Sequence, residues 1–268
     1  YLMKKNEVEV YKGVGRISPL GHVEVSDSKR EKMSVIRSQN IIISTGSRPR
    51  SLPDINIDGE LVLSSRHAME LTECPNSLAI IGAGAIGIEF AYFFNSFGCN
   101  VTLLESANQL LPREDPEVAD LLADLLGKKG IDIITGVKVS GLEIIGDKGC
   151  LSFGRGGKEK TLSVDKVLMA VGVEGLSEGI GLEALGVRKN NDLIEVNEKQ
   201  QTSVNGIWAI GDVAGAPQLA HAAVAEGIAA VEFISGRERP PVNRQNIPNC
   251  IYSQPQVAST GLSEALAL

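Results

Sequence analysis

Leu78-Ala79-Ile80-Ile81-Gly82-Ala83-Gly84-Ala85-Ile86-Gly87 opens a stretch that closes at Glu105, 23 positions after Gly82. An apolar strand runs into Gly-x-Gly-x-x-Gly and a helix follows. A second apolar strand, Val101-Thr102-Leu103-Leu104, then ends in the acid. Gly82 permits a tight turn, Gly84 lets backbone approach a pyrophosphate, and Gly87 lets helix and strand pack closely. Around Gly84, Ala85 and Ile86 the opening helix offers unpaired N–H groups and the positive end of its dipole. Glu105 is placed to accept hydrogen bonds from both hydroxyls of an adenosine ribose. It would repel a 2′-phosphate, so the pattern selects NAD over NADP. Glycines kept for packing alone leave Glu105 unexplained.

Composition narrows the rest. A chain of 268 residues with 43% apolar and 22% charged residues can bury a large core and holds more than one domain. Its net charge of −7 argues against nucleic acid or an anionic membrane as the main partner. No apolar run is long enough to span a bilayer. Tyr1-Leu2-Met3-Lys4-Lys5 has neither an initiator methionine at position 1 nor a signal-peptide core. Cys74, Cys99, Cys150 and Cys250 lie 25, 51 and 100 residues apart, so the spacing suggests reduced thiols, without a metal site or local disulfide. With only three histidines, His22, His67 and His221, the composition argues against a histidine-rich metal centre as well.

Residues 6–43 read as β structure. Val8 and Val10 alternate with polar neighbours, Pro19-Leu20-Gly21 punctuates, and Asn40-Ile41-Ile42-Ile43 has the uniform apolarity of a strand buried on both faces. A connector follows, with one short helix near Ser65–Leu71. From residue 78 to about 172 strand and helix alternate: the glycine-rich unit, a proline-started helix over 116–129, the strand Ile131–Ile134, a glycine-rich β excursion over 139–162, and a return strand at 166–171. That is a complete mononucleotide-type α/β domain. Beyond Gly172, Leu193–Val196 and Ile207–Ile210 read as strands, Gly211–Gly215 as a turn and Ala220–Ile234 as a helix. Residues 242–268 begin something new.

Asp212 follows a strand and a glycine and precedes a helix. It can accept from a ligand hydroxyl, or equally serve as a turn or N-cap aspartate. Thr45 and Ser47, after the Ile41–Ile43 run, carry the same two readings.

These motifs together resemble the flavin-dependent pyridine nucleotide–disulfide oxidoreductases, in particular their dihydrolipoamide dehydrogenase branch. The resemblance runs through Ile43-Ser44-Thr45-Gly46-Ser47-Arg48-Pro49, the nucleotide motif with Glu89 and Glu105, and Val171-Gly172-Val173. It continues through Ile207–Asp212, Leu219-Ala220-His221, Glu226-Gly227 and the segment from Ile247 to Leu262. It implies Rossmann-like FAD- and NAD(P)-binding domains, the NAD domain inserted into an incomplete FAD domain. The boundaries it suggests are 1–75 and 173–243 for the FAD-binding segments, 76–172 for the NAD domain, and 244–268 for the start of a dimerisation domain.

The same resemblance implies residue roles. Asp212 would hold the ribityl chain of FAD, and Gln218, Leu219, Ala220 and His221 would lie along the flavin. Thr45, Gly46 and Ser47 would pass near the FAD phosphates or ribose, and Gly15 would meet the adenine. Val139 would line the NAD adenine pocket, and Gly172 would approach the nicotinamide. Glu89 would sit near the flavin, paired with a lysine that has no counterpart here, so a solvated helix carboxylate stays an open reading.

Enzymes of this kind pass electrons from a dithiol to an active-site disulfide, to FAD, and as hydride to NAD. The chain shows no Cys-x4-Cys pair, no second strand–glycine-loop–helix and no His after His221. It is therefore expected to be a fragment lacking both ends, without catalytic residues of its own. Such a fragment would bind NAD weakly, lose FAD, and self-associate through uncovered apolar surface. The parent is expected to be a homodimer serving lipoyl-bearing 2-oxoacid dehydrogenase or glycine cleavage complexes, in a bacterial cytoplasm or the mitochondrial matrix. Alternatives are a mercuric, glutathione-type or coenzyme A disulfide reductase, and a non-catalytic dinucleotide-binding module.

Overall fold

A computed structural model describes residues 1–19, 21–27, 29 and 31–268, so Leu20 of the expected Pro19-Leu20-Gly21 turn lies outside the described residues. The chain divides into two compact units, one formed by 1–48 and 174–244, the other by 49–173 and 245–268.

The second unit is built on a five-stranded parallel sheet. Its strands run in the order Val62–Leu63, Lys166–Met169, Ser77–Ile81, Asn100–Leu104 and Asp132–Ile134. The chain enters this sheet at the edge strand Val62–Leu63, crosses to the centre at Ser77, steps outward twice, then returns with Lys166–Met169 between the first two strands. Parallel strands covered on both faces call for uniformly apolar sequence, and Leu78, Ala79, Ile80, Leu103 and Leu168 are fully buried. Each large side chain contributes about 1.5–3 kcal/mol by leaving water. The Ala85–Ser96 helix crosses one face, burying Ile88, Ala91 and Phe94. It stops where Gly98 takes a φ of +87°, a left-handed position after the cap that L side chains resist. The Pro116–Lys128 helix adds Leu122 and Leu126 to the same core. On the other face an antiparallel meander, Lys138–Ile145, Lys148–Arg155 and Lys158–Val164, contributes Leu151, Phe153 and Val164. The hairpin Asn249–Ile251 and Val257–Ser259 sends Ile251 and Val257 into the helix-side core.

The first unit holds a second meander, Val14–Ser18, His22–Ser26 and Lys32–Arg37, and a parallel pair, Ile41–Ile43 with Ile207–Ala209. Its core gathers Ile17, Ile43, Leu182, Ile194, Ala209 and Val213. Two expectations need correction here. Val8 and Val10 form no strand and are exposed, because no neighbouring chain pairs with that alternating stretch among the described residues. Ile41 and Ile42 are only half-buried, since among the described residues the strand has one parallel neighbour in place of the two an interior strand needs. The Ala220–Ile234 helix forms as its alanine-rich sequence requires, but Val224, Ile228 and Val231 make an exposed apolar stripe along it.

Candidate functional site

The carboxyl ends of the parallel strands converge on Gly82. Its amide donates to Leu104 O at 2.8 Å, and the Ala170 amide donates to Ile81 O at 2.8 Å. Because the neighbouring strands lead in opposite directions from here, this edge is a topological switch point, where open α/β sheets bind ligands. The three glycines have separable duties. Gly82 has φ +104°, and a Cβ there would stand 2.4 Å from Ala170 O. A Cβ on Gly87 would stand 1.9 Å from Gly82 O, so only glycine lets the helix begin so close to the turn. A Cβ on Gly84 would meet nothing within 4 Å. The bareness of Gly84 therefore serves no packing need within the protein; it leaves space over the helix start.

That start is open. Gly84 caps the helix with no side-chain hydrogen bond, and the first helical bond is Ile88 N–H to Gly84 O at 3.0 Å. The N–H groups of Ala85, Ile86 and Gly87 precede it and point out of the helix end, where an anion would meet donors and a favourable dipole. The residues present fit a dinucleotide pyrophosphate.

Glu105 is buried beside this turn, 8% exposed. Its Oε2 accepts the Ala83 amide at 2.6 Å, while Oε1 accepts the Ala107 amide at 2.7 Å and the Ser106 hydroxyl at 3.1 Å. Of about four acceptor positions on a carboxylate, the protein fills three. The acid thus fixes the glycine turn, a duty that the spacing did not reveal. Val139 packs against the core cluster that holds Leu104 and Val137, and the Val137 amide donates to Glu105 O at 3.0 Å. Gly172, at φ +101° and exposed, follows the return strand and accepts the Arg50 amide at 3.0 Å.

Glu89 has a backbone partner: its Oε1 accepts the Tyr252 amide at 2.9 Å. It lines an apolar cavity of about 630 Å³ with Met69, Leu71, Phe93, Phe97 and Tyr252. The sequence signal for this cavity, Phe90, Phe93, Phe94 and Phe97 at helical spacing, was visible, but it reads equally as core.

In the first unit the Ser47 hydroxyl donates to Asp212 Oδ2 at 2.6 Å, joining residues 165 positions apart. Asp212 lies on the short 3-10 helix Gly211–Ala214, and Gln218 Nε2 approaches its carbonyl at 3.5 Å. The Thr45 hydroxyl donates to Leu176 O at 2.7 Å, and Gly46, at φ +74°, accepts the Leu176 amide at 2.9 Å. Leu219 caps the Ala220–Ile234 helix, with Ala220 and His221 in its first turn. Gly15 lies in the meander opposite Val25. One supporting residue had been quoted only for resemblance: Glu226, 1% exposed, accepts the Gly211 amide at 2.8 Å and the Arg244 guanidinium at 2.8 Å. It thereby sets the backbone that carries Asp212.

Residues 2–227 match the family model described as "Pyridine nucleotide-disulphide oxidoreductase". The chain belongs to that family. Curated relatives include dihydrolipoyl dehydrogenases of Bacillus subtilis, 42% identical over 98% of this chain and 58% of the relative, and of Zymomonas mobilis, 41% identical over 99% and 57%. The chain thus spans less than two thirds of the length of these relatives. Among solved structures, LpdA from Mycobacterium tuberculosis superposes with a TM-score of 0.89 at 23% identity, covering 96% of this chain and 57% of that one, which speaks to fold alone. The flavoprotein disulfide reductase RclA of Escherichia coli superposes with a TM-score of 0.88 at 27% identity, covering 98% of this chain and 60% of that one. The α/β fold expected of the pyridine nucleotide–disulfide oxidoreductases is therefore present. No helix among the described residues is long and apolar enough to cross a membrane.

Proposed function

We propose that the chain is the NAD-binding portion, with part of the FAD-binding portion, of a dihydrolipoamide dehydrogenase. The observation that carries this reading is the open helix start over Gly84, with Glu105 beside it. Ala85, Ile86 and Gly87 would hold the pyrophosphate, Glu105 the adenosine ribose, Val139 the adenine side and Gly172 the nicotinamide side. In the other unit Asp212, braced by Ser47, would accept from an FAD hydroxyl, with Thr45, Gly46, Gly15 and residues Gln218–His221 around the same cofactor. NAD supplies a hydride acceptor and FAD a two-electron carrier; this chain's own residues bind and orient. The domain boundaries suggested by the sequence, 75/76, 172/173 and 243/244, belong to the same proposal.

The identity to dihydrolipoyl dehydrogenases supports lipoyl-bearing 2-oxoacid dehydrogenase complexes as partners of the whole protein. On the same proposal the whole protein is a homodimer placed in the bacterial cytoplasm or the mitochondrial matrix. The uncovered Val224, Ile228 and Val231 stripe is consistent with further burial in such an assembly. A second reading, another disulfide reductase of the family, is favoured by the likeness to RclA.

Titration with NADH, followed by its fluorescence, tests the binding proposal. Saturable binding is expected, with NADPH weaker by about tenfold or more, equivalent to about 1.4 kcal/mol. Absence of binding by either coenzyme would remove the reading.

A further inference from the structure

Cys74 and Cys99, spaced too far apart in sequence to suggest a pair, are brought together by the sheet. Cys74 comes shortly before the Ser77–Ile81 strand and Cys99 immediately before Asn100–Leu104. Those strands are neighbours, with Ser77 opposite Asn100, and the Asn100 amide donates to Asn76 O at 2.9 Å. The backbones next to the two cysteines are thus adjacent. Cys74 lies near enough to act on the Cys99 thiol, while the two thiols donate to the backbone, Cys74 to Pro75 O at 3.6 Å and Cys99 to Asn100 O at 3.8 Å. Both are free thiols in this structure, Cys74 exposed and Cys99 2% exposed. Cys74 also lines the aromatic cavity beside Phe97.

We propose that Cys74 and Cys99 form a reversible, peroxide-driven disulfide that staples the base of the strand–turn–helix unit carrying Gly82, Gly84 and Gly87. The exposed Cys74 reacts first. Its thiolate attacks one peroxide oxygen; an S–O bond forms, the O–O bond breaks, and the departing hydroxide takes up a proton as water. The Cys99 sulfur then attacks the Cys74 sulfenic acid. An S–S bond forms, the S–O bond breaks, and the leaving hydroxide takes the Cys99 proton as a second water. Two electrons pass from the sulfurs to peroxide. Burial pushes the Cys99 thiol up to about 12, with Cys74 nearby adding to the shift, so Cys99 is a poor first nucleophile. Its part is resolution, where the leaving hydroxide removes its proton.

Peptide mapping after hydrogen peroxide treatment tests this. Remaining thiols are blocked with N-ethylmaleimide under denaturing conditions and the protein is digested without reductant. The expected product is a Cys74–Cys99 linked peptide pair, two hydrogens lighter than its parts and split by dithiothreitol, with Cys150 and Cys250 carrying maleimide. In Cys99→Ser the same treatment leaves a Cys74 sulfenic acid that dimedone captures. Maleimide on both Cys74 and Cys99, Cys74 over-oxidised while Cys99 stays free, or a Cys74 bond between two chains would each overturn the proposal. If Cys99→Ser fails to fold, the wild-type map decides alone.

Discussion

The Glu105 carboxylate accepts the Ala83 amide across the turn between the two glycines, at 2.6 Å, so the acid of the nucleotide motif also locks its own glycine loop. The ribose contact proposed for Glu105 and the loop geometry would then depend on one side chain. Glu105→Ala removes acceptors from the Ala83 and Ala107 amides in a buried setting. It is expected to cost about 2–3 kcal/mol of stability in urea denaturation, as hydrogen bonds to a charged group do. Glu105→Gln keeps one acceptor oxygen, so it should cost less while still weakening NADH by about tenfold. If Gln bound NADH as well as the native residue while Ala did not, the role of Glu105 would be loop support alone.

Gly84 and Gly87 separate binding from folding. Gly84→Ala adds a methyl that meets no protein atom within 4 Å, so stability should change by no more than about 1 kcal/mol, the scale of an altered N-cap. The same methyl occupies the space over the helix start, and NADH affinity is expected to fall at least about tenfold. Gly87→Ala instead drives a Cβ against Gly82 O and should lower the thermal midpoint clearly, with binding lost as a consequence. A Gly84→Ala protein that binds NADH normally would show that the pyrophosphate lies elsewhere.

What was legible in the sequence follows from locality. The strand–turn–helix at Ser77–Ser96, the Pro116–Lys128 helix and the Ala220–Ile234 helix could be read because their periodicity, glycines and proline act within a few residues. Val8 and Val10 misled because alternation states only that a strand could half-bury itself; a pairing partner must come from elsewhere in the chain. The same limit hid the hydrogen bonds Ser47–Asp212 and Glu89–Tyr252 and the meeting of Cys74 with Cys99, which depend on which strands become neighbours. Resemblance supplied the candidate roles for Asp212 and Glu89; spacing could not.

The Glu226–Arg244 pair is a support whose loss should reach Asp212. Glu226 is nearly inaccessible and divides its carboxylate between the Gly211 amide and Arg244. Arg244→Ala leaves a buried carboxylate with one partner fewer and is expected to destabilise the protein by about 2 kcal/mol. Glu226→Gln removes the charge with the shape kept, and should be milder in Arg244→Ala than in the native background. A double-mutant cycle by urea denaturation measures that coupling; additive effects would mean the pair contributes no interaction of its own.

Asp165 gives the pH dependence a sign. Burial works to raise its carboxyl, but the Lys148 ammonium at 3.1 Å and the Ser77 hydroxyl and amide outweigh it and hold the group below its ordinary value of 3.8. A carboxyl whose folded value is depressed contributes stability that is fully present above the unfolded value. That contribution is lost as pH falls through the folded one. The Asp165 contribution should therefore be constant from neutral pH down to about 4 and decline below that. Asp165→Asn is expected to lower the urea midpoint at pH 7, with the difference from wild type shrinking as the solution is taken below about pH 4. A difference that stayed constant into acid would place the effect in packing at the Ser77 strand end rather than in the charge.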